Sequence, residues 1–192
     1  MISNGTSGDA WCVDFSKPKR IFDRRSVGKD VAAAAFEAYQ RIRHYEWMPL
    51  VMKETQVTLA VRMPTKDDLA TAKATLEEFA VREEGQPMNR SDLLRKVYAG
   101  ETIALHKMPP TRELKLQAIR IGELGITAMP NEVFGITGLA IKRQSPIAVT
   151  FNISLANGAD GYIPPPDQFP LGGLTTWRAR SSCLEVGAEP KV

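Results

Sequence analysis

Apolar positions recur along the chain in two different periods, and the switches between them mark its elements. Val27, Val31, Ala35, Ala38 or Tyr39, and Ile42 recur at helical spacing, and the run from Ala32 to Ala35 adds helix propensity. This predicts a helix from Val27 to His44. From Val51 to Arg62 the period drops to two, with Val57, Leu59 and Val61 on one face, which predicts a strand. Pro64-Thr65-Lys66-Asp67-Asp68 reads as a helix start, with Thr65 as N-cap and carboxylates in the first turn. Leu69, Ala72, Leu76 and Phe79 form its buried stripe, and the stretch from Glu83 to Pro87 ends it. A third helix is predicted from Asn89 or Ser91 towards His106, with Leu94, Val97 and Tyr98 inward and Pro109-Pro110 as the stop.

The later part of the chain is more regular. Leu114, Leu116 and Ala118 alternate, so 112–121 is predicted as a strand, and Gly122 and Gly125 bracket a turn. Ile126 to Met129 is a short apolar strand. Pro130-Asn131-Glu132 turns into a helix over about 132–143, broken by Ser145-Pro146. Ile147, Val149, Phe151, Ile153 and Leu155 then alternate through a further strand. Strand, helix and strand with short joins predict a parallel βαβ unit. A long loop region covers 156–183, with a possible helix over 175–182, and the tail 184–192 has room for one short strand. The first 26 residues are loop-rich, with a basic connector from Lys17 to Ser26. The fold class expected is α/β, a mixed sheet with flanking helices, forming a single and incomplete domain over 1–192.

Composition narrows the function classes. The 192 residues are 43% hydrophobic and 24% charged, which is globular. The net charge of +3 is too small to argue for nucleic acid. No apolar run approaches the roughly 20 residues of a transmembrane helix. Two cysteines, Cys12 and Cys183, make neither a disulfide framework nor a cysteine-rich zinc site. Residues 1–9 lack the basic start and long apolar stretch of a signal peptide and read as an internal loop of something larger. An incomplete domain would leave a sheet edge bare, so self-association through that edge is expected.

Residue types alone nominate little chemistry. His44 and His106 stand far apart in helix-like patterns, and a surface imidazole is the reading favoured for each. The loop Asn4 to Asp9 could present backbone N–H groups to an anion, although its residues equally mark an ordinary turn. Glu132 lies where a strand ends, the usual place for ligands in open α/β sheets. A first-turn carboxylate favoured by the helix dipole explains it as well. If the βαβ reading holds, the loop from Asn157 to Tyr162 leaves the neighbouring strand at the same end, so Glu132 and Tyr162 could meet in one crevice.

Three stretches together carry a resemblance. Asn4-Gly5-Thr6-Ser7-Gly8-Asp9, then Pro130-Asn131-Glu132, then Ala156-Asn157-Gly158-Ala159-Asp160-Gly161-Tyr162-Ile163-Pro164 resemble, in order, the neutral/alkaline non-lysosomal ceramidase family. Trp177-Arg178-Ala179-Arg180-Ser181-Ser182 and Leu184-Glu185 look like its bacterial branch. The resemblance covers essentially the whole chain but only the later half of the family's catalytic domain. It implies a zinc amidase that cleaves the N-acyl bond of ceramide or a related lipid. It also implies that Glu132 and Tyr162 are metal ligands and that Asn4, Gly5, Ser7, Gly8, Asp9 and Asn157 line the substrate or oxyanion loop. The family's two zinc histidines belong to earlier motifs, including a His-Thr-His-Ser-Gly-Pro stretch, which this sequence lacks. Trp11 stands where the family has an active-site serine, and Leu174 where it has a second tyrosine. Zinc is therefore expected weakly or not at all in this chain, which is expected to be inactive by itself. A non-catalytic interaction or scaffold domain is the alternative. Relatives are often exported, and the compartment of this chain is left open.

Overall fold

The computed structural model describes residues 3–19, 21–81 and 87–192. Much of the expected ending of the second helix at Glu83–Pro87, and Arg20 of the basic connector, lie outside them. The elements in chain order are α1 (Arg24–Gln40), β1 (Leu50–Ala60), α2 (Lys66–Ala80), α3 (Arg90–His106), β2 (Thr111–Ile121), β3 (Leu124–Ala128), β4 (Glu132–Val133), α4 (Gly135–Gln144), β5 (Val149–Ile153) and β6 (Tyr162–Ile163). Two 3-10 turns follow, at Pro166–Leu171 and Glu189–Lys191.

The sheet is mixed, as expected. Its order is β1-β2-β3-β5, antiparallel except for the parallel β3–β5 pair. β3, α4 and β5 form the βαβ unit foreseen from the alternation around Phe151. Glu132 and Val133, read from sequence as the start of that helix, instead form β4. β4 pairs in parallel with β6 as a separate two-stranded sheet.

The helices begin where side chains can satisfy their free N–H groups. Thr65 and Asp68 make a reciprocal capping box at α2, and Asn89 caps α3. Asp23 and Ser26 do the same for α1, which sets its start ahead of the predicted Val27. It ends at Gln40, so His44 lies outside the helix. None of its residues is buried. The stripe of Val27, Val31 and Tyr39 is real, but among the described residues nothing covers it. Val97 of α3 is exposed as well, whereas Ala99 and Leu105 are the residues it buries.

The main core sits at one end of the sheet. Leu59, Val61, Leu105 and Leu114 pack with Met129, Val133, Ile163, Cys183, Leu184 and Ala188. The alternation of Val57, Leu59 and Val61 therefore points at this cluster. Cys183 is buried within it and Cys12 is exposed, and both are free.

Two expectations for the C-terminal region fail for the same reason. Over 175–182 no helix forms, because groups outside the segment and across its turn take its backbone groups. The Arg62 guanidinium donates to the carbonyls of Thr176 and Ser182, the Ser182 hydroxyl donates to Thr175 O (2.7 Å), and Arg180 N–H donates to Glu101 (2.9 Å). The tail contributes a single bridge, Val61 with Leu184, and not a strand. Its Glu185 instead hooks onto Ala60 of β1.

Candidate functional site

β4 and β6 set the geometry of the site. Their register places Glu132 beside Tyr162 and Val133 beside Ile163. Side chains alternate across a strand. Val133 and Ile163 are sunk in the core, 0% and 1% exposed, so Glu132 and Tyr162 turn the other way. Both line one cleft of ≈ 560 Å³, with Ser7, Gly8, Asp9, Ala10, Trp11, Phe134, Gln168, Gly172, Leu174, Thr175 and Thr176.

Backbone hydrogen bonds hold both walls, one within this short sheet and two extending it sideways. Gly8 N–H donates to Val133 O (2.8 Å), Glu132 N–H to Gly161 O (3.0 Å) and Tyr162 N–H to Ser181 O (2.8 Å). Two of these approaches need glycine. A Cβ on Gly8 would lie 2.6 Å from Glu132 O. A Cβ on Gly161 would lie 2.5 Å from Ser181 O, and Gly161 also has φ of +78°.

Two polar side chains hold this arrangement in place. Asp9 Oδ1 accepts the N–H of Gly135 (2.7 Å), at the start of α4. That helix has no cap bond from its own N-cap residue, Phe134, so a residue far upstream supplies one worth about 1 kcal/mol. Asn131 is fully buried, and its Nδ2 donates to the carbonyls of Asp160 (3.0 Å) and Gly161 (3.2 Å). It fixes the loop that delivers Tyr162. Asn131 stood next to Glu132 in sequence without being singled out, and the signal was a polar residue directly after the proline that closes an apolar strand.

The sequence-nominated residues divide into two groups. Glu132, Tyr162, Ser7, Gly8 and Asp9 line the cleft together, and so do Trp11 and Leu174. Asn4, Gly5 and Asn157 are not among its lining residues. Asn4 accepts from Ser154 N–H through its carbonyl (2.9 Å), and Asn157 donates its side-chain amide to Gln117 on β2 (2.7 Å). His44 and His106 are exposed and line no part of the cleft. Phe134, Gln168, Thr175 and Thr176 were not foreseen, because they reach the cleft from a turn and an irregular loop that carry no periodic pattern.

Burial, then the negative charge of Glu132 and a hydrogen bond to it, hold the Tyr162 phenol above its ordinary pKa of 10.0. A raised folded-state pKa contributes stability that is present below pH 10 and lost as the pH climbs through the folded value. In an ultraviolet titration, two tyrosines, Tyr98 and Tyr162, are expected to ionise late. Glu132→Gln should bring one of the two, that of Tyr162, down towards 10 and leave Tyr98 where it was; two unmoved midpoints would show that Glu132 and Tyr162 do not interact.

A carboxylate and a phenol side by side suit a divalent cation in kind, but a catalytic zinc takes three protein ligands. Among the described residues no cluster of three or more His, Cys, Asp or Glu could hold a metal. Glu132 and Tyr162 alone therefore fall short of such a site.

The mixed sheet, the βαβ unit and the two-stranded extension over the core together make an α/β fold like that of part of the solved ceramidases. The chain is similar to neutral ceramidase from Pseudomonas aeruginosa over 98% of its own length, with a TM-score of 0.59 and 16% identity. It is also similar to a ceramidase complexed with C2 over 87% of its length, with a TM-score of 0.51 and 13% identity. It spans about a third of those chains, 35% and 32%. At these identities the likeness is one of fold. No family model and no curated protein sequence matches the chain.

Proposed function

We propose that this chain forms one wall of the active site of a ceramidase-like zinc amidase acting on an N-acyl amide such as a lipid amide. The observation that supports this reading is the side-by-side placement of Glu132 and Tyr162 on β4 and β6 at one cleft. Glu132 would supply a carboxylate oxygen and Tyr162 its phenol as two of the metal's ligands. Zinc bound there would polarise the amide carbonyl and lower the pKa of a bound water to about 7. Trp11, Phe134 and Leu174 give the cleft an apolar lining suited to hydrocarbon, while the backbone around Ser7 to Asp9 supplies polar groups. Without a cation, the raised pKa keeps the Tyr162 proton in place at neutral pH. The remaining ligands, by the family resemblance, are histidines of another segment.

With two donors only, the chain by itself is expected to bind zinc weakly and to release no fatty acid from ceramide. A chelator-competition titration of the purified chain with Zn²⁺ tests this. Weak binding that disappears in Glu132→Gln and in Tyr162→Phe is the expected result. Tight stoichiometric zinc, or weak binding that both variants retain, overturns the assignment.

A second reading has one specific observation in its favour. Trp11 and Leu174 sit in the cleft itself, at the positions where the family carries hydroxyl groups for the amide. They remove donors that would bind an oxyanion or move a proton. On that reading the cleft is retained in a non-catalytic interaction domain. A longer polypeptide that carries the histidines, binds zinc and still cleaves no amide would favour it.

A further inference from the structure

We propose that two copies of this chain pair through the outer edge of β1, antiparallel, about a two-fold axis at Thr55. β1 is the end strand of the four-stranded sheet and runs in unbroken register with β2 from Leu50 to Ala60. Its far end shows which backbone groups face outward. Ala60 donates its N–H to Glu185 Oε1 and accepts from Glu185 N–H, both at 2.9 Å. Val61, the next residue, donates to Pro110 on the β2 side (2.8 Å). Backbone direction alternates along a strand, so Leu50, Met52, Glu54, Gln56 and Thr58 also present their N–H and C=O groups outward. Among the described residues no backbone or side-chain hydrogen bond reaches those groups.

This edge lacks the usual protection. It has no proline and no bulge, and its charges are Lys53 and Glu54. Glu54 is already engaged by Lys115 (3.1 Å) and Gln117 (2.7 Å) of β2. The tail shields only the Ala60 end. What remains is an open ladder of paired donors and acceptors, which another extended strand completes.

The sequence of β1 selects a second copy and a register. Two antiparallel strands related by a two-fold axis keep each sheet face continuous, so the axis must pass through a residue that then lies opposite itself. At Lys53 it would set lysine against lysine, and at Glu54 glutamate against glutamate, both unfavourable across strands. At Gln56 the partner strand would run into the Glu185 hook. At Thr55 no like charges meet directly, and only the first residue of the strand, Leu50, falls opposite the hooked Ala60. Thr55 faces Thr55, Glu54 faces Gln56, Lys53 faces Val57 and Met52 faces Thr58, over the uncapped stretch Met52–Thr58. Threonine pairs are among the favourable cross-strand contacts. The product is one continuous sheet with β1 at its centre and the clefts of the two copies at separate ends.

The proposal stands apart from the amidase reading. Light scattering on the eluting protein is expected to give twice the 21.2 kDa chain mass. Thr55→Lys and Thr55→Glu each place like charges on the axis and should raise the dimer dissociation constant by roughly fivefold or more, while an equal mixture of the two restores the dimer. Gln56→Pro removes an outward N–H without touching the β2 ladder and should also yield monomer. Thr55 and Gln56 are exposed, and unchanged circular dichroism of the Thr55 variants confirms that folding is intact. A monomeric parent chain at tens of micromolar overturns the proposal. So does an oligomer indifferent to both Thr55 changes, or a mixture that fails to re-pair.

Discussion

Gly161→Ala is expected to lower the unfolding free energy by about 3 kcal/mol, among the largest effects of any single change near the cleft. Two penalties coincide at this position. Its φ of +78° is a conformation that side chains other than glycine's adopt at a cost of about 1–3 kcal/mol. The added Cβ would also meet the Ser181 carbonyl oxygen at 2.5 Å, and that oxygen is backbone, held by the Tyr162 N–H. Relief requires β6 to move away from Ser181 or from β4, and either movement displaces Tyr162. Gly173→Ala is the matched control. Gly173 has φ of +104° but nothing within 4 Å of a built Cβ, so it carries the strain without the collision. Urea unfolding of the two variants separates the terms. If both lose equal stability, the contact with Ser181 is not what constrains the loop. In Gly161→Ala the late ionisation of Tyr162 should also shift, because Tyr162 no longer sits squarely beside Glu132.

Leu105→Ala is expected to cost about 2–5 kcal/mol, the range for emptying a closed core position. Leu105 is fully buried in the cluster that also holds Val133 and Ile163, the two residues that anchor β4 and β6 from below. It is also the attachment of α3 to the sheet. α3 carries Glu101, which binds Arg180 (2.7 Å), and Tyr98, which meets the edge of Trp177 at 5.2 Å between ring centres. Loosening Leu105 should therefore weaken the loop over 175–182 as well as the core. Thermal unfolding gives the cost, and a loss below about 1 kcal/mol would mean that the site can collapse around the missing atoms.

These two positions show what the sequence makes legible. Leu105 falls on a helix whose cap, length and end were readable from Asn89, the apolar spacing and Pro109-Pro110. Its burial was not, because the spacing equally allowed Val97 to face inward, and the direction of a helix face is set by its neighbours. The same limit applies to α1, whose stripe exists and has no partner among the described residues. Glu132 and Tyr162 could be brought together on paper because strand ends in a βαβ unit gather at one edge. The helix start could not be placed correctly, because it depends on Asp9, distant in sequence. The irregular loop over 175–182 was illegible for a related reason. Its local propensity permits a helix, and the groups that prevent one include Arg62 and Glu101, which belong to other parts of the fold.

The two flanks of the cleft are fastened unequally. On one side, the segment from Ser7 to Ala10 is tied to β4 and α4 by the Gly8 and Asp9 hydrogen bonds, each worth about 1 kcal/mol net. On the other, the segment from Thr175 to Ser182 is tied down by Arg62, by the Asp68–Arg178 ion pair at 2.8 Å and by the Glu101–Arg180 fork. Thermal fluctuation will thus part the crevice along its amino-terminal seam first. Because Asp9 is the hook on that seam, each such excursion also frays the leading turn of α4, so the breathing of the entrance and the melting of that helix end are one event.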